Sequence, residues 1–382
     1  MRISILVPDA ASNSLGRGYL LARVLSRHYD IELIGPVFGS RIWPPCDTGE
    51  FDYKTVPGAM WPMFLSSARK LIALITGDVI YASKPLTTSY GVALLGNFRQ
   101  SRPLVLDIDD WETGLLMPKG RFDWWRTGPK RIRRPNSILY VRQIEKLIPL
   151  AAEITVASDF LQARYGGVKV PHGRDTDFLD PTKYESGQMR VEMGLGNYRY
   201  IVFLGTPRPH KGLNVLVEAI RILDMDDLKL LIIGAGSGDA FNISHSYLEQ
   251  LICRQEPFLE IRGFCPFSDI PRYLSVADMV VVPQLDVPGT RGQVPAKLFD
   301  AMAMARPIIA SAVSEIPKIL DGCGIVVESG NAELVAEKIL YVLEHEEEAF
   351  EMGKRAREKC VQEYSWQAMD AKLRGIFDRY ER

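Results

Sequence analysis

Short apolar runs alternate with stretches of helical periodicity along nearly the whole chain. Ile3–Val7, Ile31–Ile34, Val79–Tyr81, Leu104–Leu106 and Ile154–Ala157 read as a first series of strands. Ile201–Leu204, Lys229–Ile233, Leu259–Ile261, Met279–Val282, Ile308–Ala310 and Ile325–Val327 read as a second. Apolar strands separated by roughly 10–20 residues of helical pattern imply βαβ units and parallel sheets covered on both faces. The series breaks once, between Gly173 and Tyr198, where Asp180-Pro181-Thr182-Lys183, Gly187 and Gly194 make a polar stretch without a strand pattern. The pattern therefore predicts two doubly wound α/β domains, 1–180 and 196–365, joined by a linker over 181–195. From Asn331 onward the pattern is helical, with Trp366, Met369, Leu373 and Ile376 on one apolar stripe. Two such sheets facing each other place their carboxyl ends at one cleft, which is where open α/β sheets bind ligands.

Composition narrows the class. The 382 residues are 47% hydrophobic and 24% charged, the balance of a soluble globular protein of two ordinary domains. With 46 Lys+Arg against 47 Asp+Glu, the net charge of −1 excludes a globally basic nucleic-acid binder. No apolar run reaches the ~18 residues that span a bilayer. Met1–Pro8 is short and followed by Asp9, so it reads as a strand rather than a signal peptide, and a cytoplasmic protein is expected. Cys46, Cys253, Cys265, Cys323 and Cys360 form no CxxC pair, which supports neither a disulfide framework nor a zinc cluster. The histidines show no metal-ligand spacing either.

Candidate chemistry gathers after the strands. Gly205-Thr206-Pro207-Arg208-Pro209-His210-Lys211-Gly212 aims two cations and a helix start at a point above the second sheet. Arg chelates phosphate oxygens and Lys supplies a compact charge, so a diphosphate fits; a solvated basic turn is the competing reading. Gly234-Ala235-Gly236-Ser237-Gly238 has the spacing G-x-G-x-G, with no acidic residue ending the next strand, which disfavours a nicotinamide enzyme. Those glycines suit close approach of the backbone to a nucleotide. Pro295 suits a first helical turn that leaves the amides of Ala296 and Lys297 facing outward, a second anion site. Asp300, one turn further, is either a ribose ligand or a helix-dipole carboxylate. In the first half, Asp107-Ile108-Asp109-Asp110 ends a strand at the cleft, and Ser12–Gly18 opens a helix with Gly16, Arg17 and Gly18. Asp109 or Asp110 is either a carboxylate facing the cleft or an N-cap of the following turn. Lys119–Arg134 interleaves Arg121, Trp124, Trp125, Arg126, Lys130, Arg131 and Arg133, which suits an anionic membrane surface, a polyanionic acceptor or simply a solvated loop.

Taken together, "GTPRPHKGLNVLVEA", "LKLLIIGAGSGD", "IRGFCPFSDIPRYLSVADMVVVPQ", "PAKLFDAMAMARPIIAS" and "EIPKILDGCGIVVESGNAELVAEKILYVL" resemble, in order and spacing, the family 4 glycosyltransferases. These are retaining enzymes of the two-domain GT-B fold. "VASDFLQARYGGVKVPHGRDTDFLDP" resembles the family's turn before the linker, with His172 in an Asn position. "MGKRAREKCVQEYSWQAM" resembles its closing helices, the last of which (about 366–382 here) crosses back to the first domain.

The resemblance implies a metal-independent transferase that moves a sugar from a nucleotide diphosphate, with UDP favoured, to a carbohydrate or lipid-linked hydroxyl in polysaccharide or glycolipid synthesis. It needs no cofactor beyond its substrates. Arg208 and Lys211 would stabilise the leaving group, with Asp109 and Asp110 at the sugar. Gly16, Arg17, Gly205, Gly234, Gly236, Gly263, Phe264, Val294, Pro295, Ala296, Lys297 and Asp300 would line the donor site. The sequence departs from the family where Thr206 holds the place of an Arg, and where Gly292 holds the place of the first of two paired acids. Two alternatives stay open: an epimerase of the same fold, which would need acid/base carboxylates in the cleft and no acceptor, and, because of the missing acid at Gly292, a subunit that binds without turnover. Peripheral contact with the inner membrane face is expected through 119–134, and no contact with nucleic acid.

Overall fold

The computed structural model describes residues 1–98, 101–117, 132–234, 243–252 and 256–381. The first domain carries strands β1 (Arg2–Leu6), β2 (Asp30–Val37), β3 (Tyr53–Pro57), β4 (Val79–Ser83), β5 (Leu104–Ile108), β6 (Glu153–Val156) and β7 (Val168–Lys169). They form one sheet in the order β3-β2-β1-β4-β5-β6-β7. The second carries β8 (Arg199–Leu204), β9 (Leu228–Ile233), β10 (Leu259–Arg262), β11 (Met279–Val282), β12 (Ile308–Ser311) and β13 (Ile325–Val327), in the order β10-β9-β8-β11-β12-β13. Every pairing is parallel. This is the α/β GT-B architecture of two Rossmann-like domains. The strand order reverses between β1 and β4 and again between β8 and β11, the switch points at which such sheets open a crevice.

The central strands are buried along their whole length because helices cover both faces, which is why they read as continuous apolar runs. Two strands fall outside that reading. β3 lies at an edge and buries only Val56, and β7 has just two residues. The polar stretch between the domains also differs from a plain linker. Ser186–Glu192 is a helix, started by Glu185, whose carboxylate accepts from the amides of Gly187 and Gln188. Only Met189 on it is buried, so the helix carries almost no apolar periodicity.

The helix Trp366–Phe377 begins at Ser365, whose hydroxyl accepts from Ala368 N–H. It buries Met369, Leu373, Ile376 and Phe377 in the core of the first domain, with the Phe377 ring 5.1 Å from that of Tyr81. Among the described residues no helix is long and apolar enough to cross a membrane.

The turn into the helix Leu213–Leu223 depends on one glycine. Gly212 has φ +69°, and a Cβ there would lie 1.8 Å from the Pro283 carbonyl oxygen. Gly212→Ala combines a left-handed strain with a clash against backbone, so a loss of at least about 2 kcal/mol is expected. Urea unfolding of the variant measures it, and a change within experimental error would contradict the packing described.

Candidate active site

All the loops at issue leave the carboxyl ends of strands. In the second domain, Gly205 (φ +102°) and Gly234 (φ +96°) end β8 and β9. Gly234 donates its N–H to the Gly263 carbonyl, and a Cβ on it would meet the Gly205 backbone at 3.1 Å. The two turns therefore touch backbone to backbone. Lys211 donates to the Thr206 carbonyl at 2.8 Å, and burial with neighbouring Arg208 holds its ammonium down to about 7. Lys297, in the first turn of the helix Ala296–Ala303, is buried with Nζ 3.5 Å from the Phe203 ring centre and without a hydrogen-bond partner. Burial and Lys211 push its pKa well down. A buried, unpartnered Lys297 beside the partly buried Lys211, both held below the ordinary ammonium range, makes a site where an entering anion favours the charged forms. His210 is likewise held down, to about 4, by burial, Lys211 and Arg208. Arg208 reaches over the cleft to Asn13 Oδ1 at 3.5 Å.

The first domain faces this with carboxylates. Asp109, Asp110 and Glu112 follow β5, and all three converge on the ammonium of Lys84 at 2.8, 2.6 and 2.8 Å. Lys84 follows β4 in a left-handed backbone conformation (φ +69°). Burial raises Asp109 to about 7, whereas Lys84 and Gln293 keep Asp110 below the ordinary carboxylate range against the same burial. His172 is held neutral by burial and by Arg17 and Arg174. The three carboxylates sit close enough to share a metal ion, but the Lys84 ammonium already lies at their focus.

The structure brings most of the expected residues to one cleft but assigns several of them other partners. Arg17 is not a donor-facing cation: it is 3% exposed, binds both oxygens of Asp107 at 3.0 and 2.8 Å and donates to the Val170 and Pro171 carbonyls. Asp300 is paired with the Arg174 guanidinium, which also donates to the Ala296 carbonyl. Val294 packs in the second core. Gly16 lies in the first turn of the helix Leu15–Leu25, against Trp43, and Gly18 packs directly on Val7. Gly263 and Phe264 follow β10, next to Gly234. Gly236 and the segment 118–131 lie outside the described residues.

Gly292 has a spatial reason to lack a side chain. Its carbonyl accepts from Ser158 of the first domain at 2.9 Å, and a Cβ would stand 3.0 Å from the Phe160 ring. The next residue, Gln293, donates from Nε2 to Asp110 Oδ1 at 2.8 Å and so ties the two domains together. Lys84, Arg174 and Gln293 were not singled out by sequence. For Lys84, the available signal is a lysine directly ending a central strand beside the switch point.

Comparison with known proteins fixes the kind of domain. Residues 198–345 match the family described as Glycosyl transferases group 1. The second domain is a group 1 glycosyltransferase domain. The chain is similar to spore coat protein SA of Bacillus subtilis, 26% identical over 59% of this chain and 62% of that protein. It is similar to the putative colanic acid biosynthesis glycosyltransferase WcaL of Salmonella typhimurium, 26% identical over 51% of each. A third relative is the GDP-mannose-dependent alpha-(1-6)-phosphatidylinositol monomannoside mannosyltransferase of Mycobacterium tuberculosis, 25% identical over 58% of this chain and 60% of that protein. The chain thus spans about half to three fifths of the length of these curated relatives. In fold it is similar to Anabaena Alr3699/HepE in complex with UDP-glucose, with a TM-score of 0.75, 16% identity, and 99% and 100% of the two chains covered. Sucrose-phosphate synthase from Thermosynechococcus elongatus gives 0.74 and 16%, over 99% and 98%.

Proposed function

We propose that the group 1 domain binds a nucleotide-diphosphate sugar and that the whole chain transfers the sugar to a hydroxyl acceptor with retention of configuration. The observation that carries this reading is the buried, unpartnered ammonium of Lys297 near the partly buried Lys211, at the carboxyl end of the second sheet. A diphosphate placed there would favour the charged form of both. As the bond to the sugar breaks, negative charge grows on the leaving diphosphate, and preorganised cations act on that charge where it develops. Arg208, beside them, belongs to the same grip. The sugar would then project toward the carboxylates of the first domain, where Asp109 and Asp110 meet its hydroxyls or the acceptor's.

A UDP-sugar is the favoured donor, supported by the UDP-glucose complex of HepE, and GDP-mannose is the competitor suggested by the mycobacterial relative. Polysaccharide or glycolipid acceptors are supported by the colanic acid and phosphatidylinositol mannoside relatives. Thermal stabilisation by UDP-sugars, GDP-mannose and the free nucleotides is the deciding screen. No shift with any of them would overturn the reading. With the donor found, product analysis without acceptor separates a transferase, which hydrolyses slowly, from an epimerase, which releases an isomeric nucleotide sugar.

Because cationic side chains take the place of a metal at the diphosphate, activity is expected to survive EDTA. Loss in EDTA restored by manganese would contradict that assignment. Peripheral contact with anionic lipid through 119–134 remains part of the proposal, read from charge and aromatic content alone. Neutralising Arg131, Arg133 and Arg134 should lower binding to anionic liposomes with donor hydrolysis unchanged.

A further inference from the structure

The second domain lines its half of the cleft with cations, and its carboxylate Asp300 is committed to Arg174. Gly292 leaves no side chain beside them, and the Phe160 ring fills the space where one would begin. On the donor reading, a sugar bound at that wall would need an acceptor for its hydroxyls. The group standing there comes from the other domain: Asp110, held at 2.8 Å by the amide of Gln293, the residue next to Gly292. Its second oxygen is held at 2.6 Å by Lys84. Lys84 is no ordinary surface lysine. Its side chain is 7% exposed, its backbone is left-handed and precedes a proline, and its carbonyl accepts from Ser89 Oγ at 2.9 Å and from Leu86 N–H at 2.8 Å. Pre-proline residues prefer extended conformations, so this geometry persists only because the surroundings fix it, a pattern found at functional sites.

We propose that Lys84 is a positioning residue: it aims the Asp110 carboxylate across the cleft, so that the first domain supplies the sugar-binding carboxylate that Gly292 leaves the second domain without. The inference rests on the donor reading above and adds a residue and a role to it. Asp109 and Glu112 are the other anions on Lys84, and they compete with Asp110 for its charge. Asp110 faces His172 within its own domain and His210 and Lys211 across the cleft. Losing Lys84 would therefore favour protonation of Asp110, and the acid limb of any reaction needing its anion would move to higher pH.

The test compares the full-length wild type with Lys84→Met, Lys84→Arg and Gln293→Ala, using UDP and UDP-glucose as probes. Lys84→Met is expected to bind UDP within about twofold of wild type, since the diphosphate grip lies in the other domain. It should lose about tenfold or more of the preference for UDP-glucose over UDP, on the scale of a charge-assisted hydrogen bond. Its UDP-glucose hydrolysis profile should shift to higher pH, with partial recovery in Lys84→Arg. If Lys84→Met does not fold, Gln293→Ala keeps the Lys84 cluster and removes only the cross-cleft hold, and a smaller loss of the same preference is expected. An unchanged sugar preference together with an unchanged pH profile in a folded Lys84→Met, or an unchanged preference in Gln293→Ala, overturns the proposal. Failure of the wild type to bind UDP or UDP-glucose would instead count against the choice of donor.

Discussion

Asp107→Ala is expected to lower the unfolding free energy by about 3–5 kcal/mol, the scale for stranding one partner of a buried ion pair. Arg17 and Asp107 have side chains 1% and 0% exposed, and Asp107 also accepts from Thr155 Oγ1 at 2.7 Å. With the carboxylate gone, the guanidinium keeps hydrogen bonds to the Val170 and Pro171 carbonyls, and Asp109 as a more distant carboxylate that burial itself pushes toward the neutral form. Those carbonyls are neutral acceptors that cannot balance a full charge out of water. The strand β5, the helix Leu15–Leu25 and the segment after β7 meet at this pair, so the damage reaches the floor of the cleft. The double variant Arg17→Met/Asp107→Ala removes both charges and is expected to be more stable than Asp107→Ala alone. Urea unfolding with an unchanged denaturant slope reads the difference. A loss below about 1 kcal/mol in the single variant would show that the pair is better solvated than its burial indicates.

The same pair shows where reading the sequence stops. Arg17 looks from sequence like a loop cation because its neighbours are Gly16, Gly18 and polar residues, and its partner lies 90 residues away. Only the pairing of β1 and β4 and of β4 and β5 brings the two together. The central strands are legible because each is apolar along its whole length. β3 is not, since an edge strand burying one residue leaves no run to detect. Arg208, Lys211, Lys297 and the glycines at the strand ends are legible because strand-to-loop transitions in α/β sheets concentrate chemistry at fixed places. Asp110 could be placed at the cleft, but its orientation could not, because that depends on Lys84 and Gln293 from two other elements. Asp300 shows the same limit: its position in the helix is as expected, but its pairing with Arg174 could not be read from sequence.

Binding of a nucleoside diphosphate is expected to weaken steeply above pH 7 and to take up protons. Lys211 in the free protein sits at about 7, lowered by burial first and by Arg208 second, so above that pH it is largely neutral. An anion beside it favours the charged form, so the pKa rises in the complex. The sign follows: the complex holds a proton that the free protein has released, and affinity falls by up to about tenfold per pH unit between pH 7 and the raised value. Lys297, lowered in the same direction by burial and by Lys211, adds to the uptake. Titration calorimetry with UDP at pH 7, 8 and 9, in two buffers of different ionisation enthalpy, measures the protons directly. Lys211→Met should cost about 1–3 kcal/mol of binding at pH 7, the scale of a charge-assisted contact, and should flatten the pH dependence. A wild-type affinity independent of pH over this range, with no buffer dependence of the heat, would remove Lys211 from the phosphate site. Equal weakening of wild type and Lys211→Met with pH would instead assign the proton to Lys297.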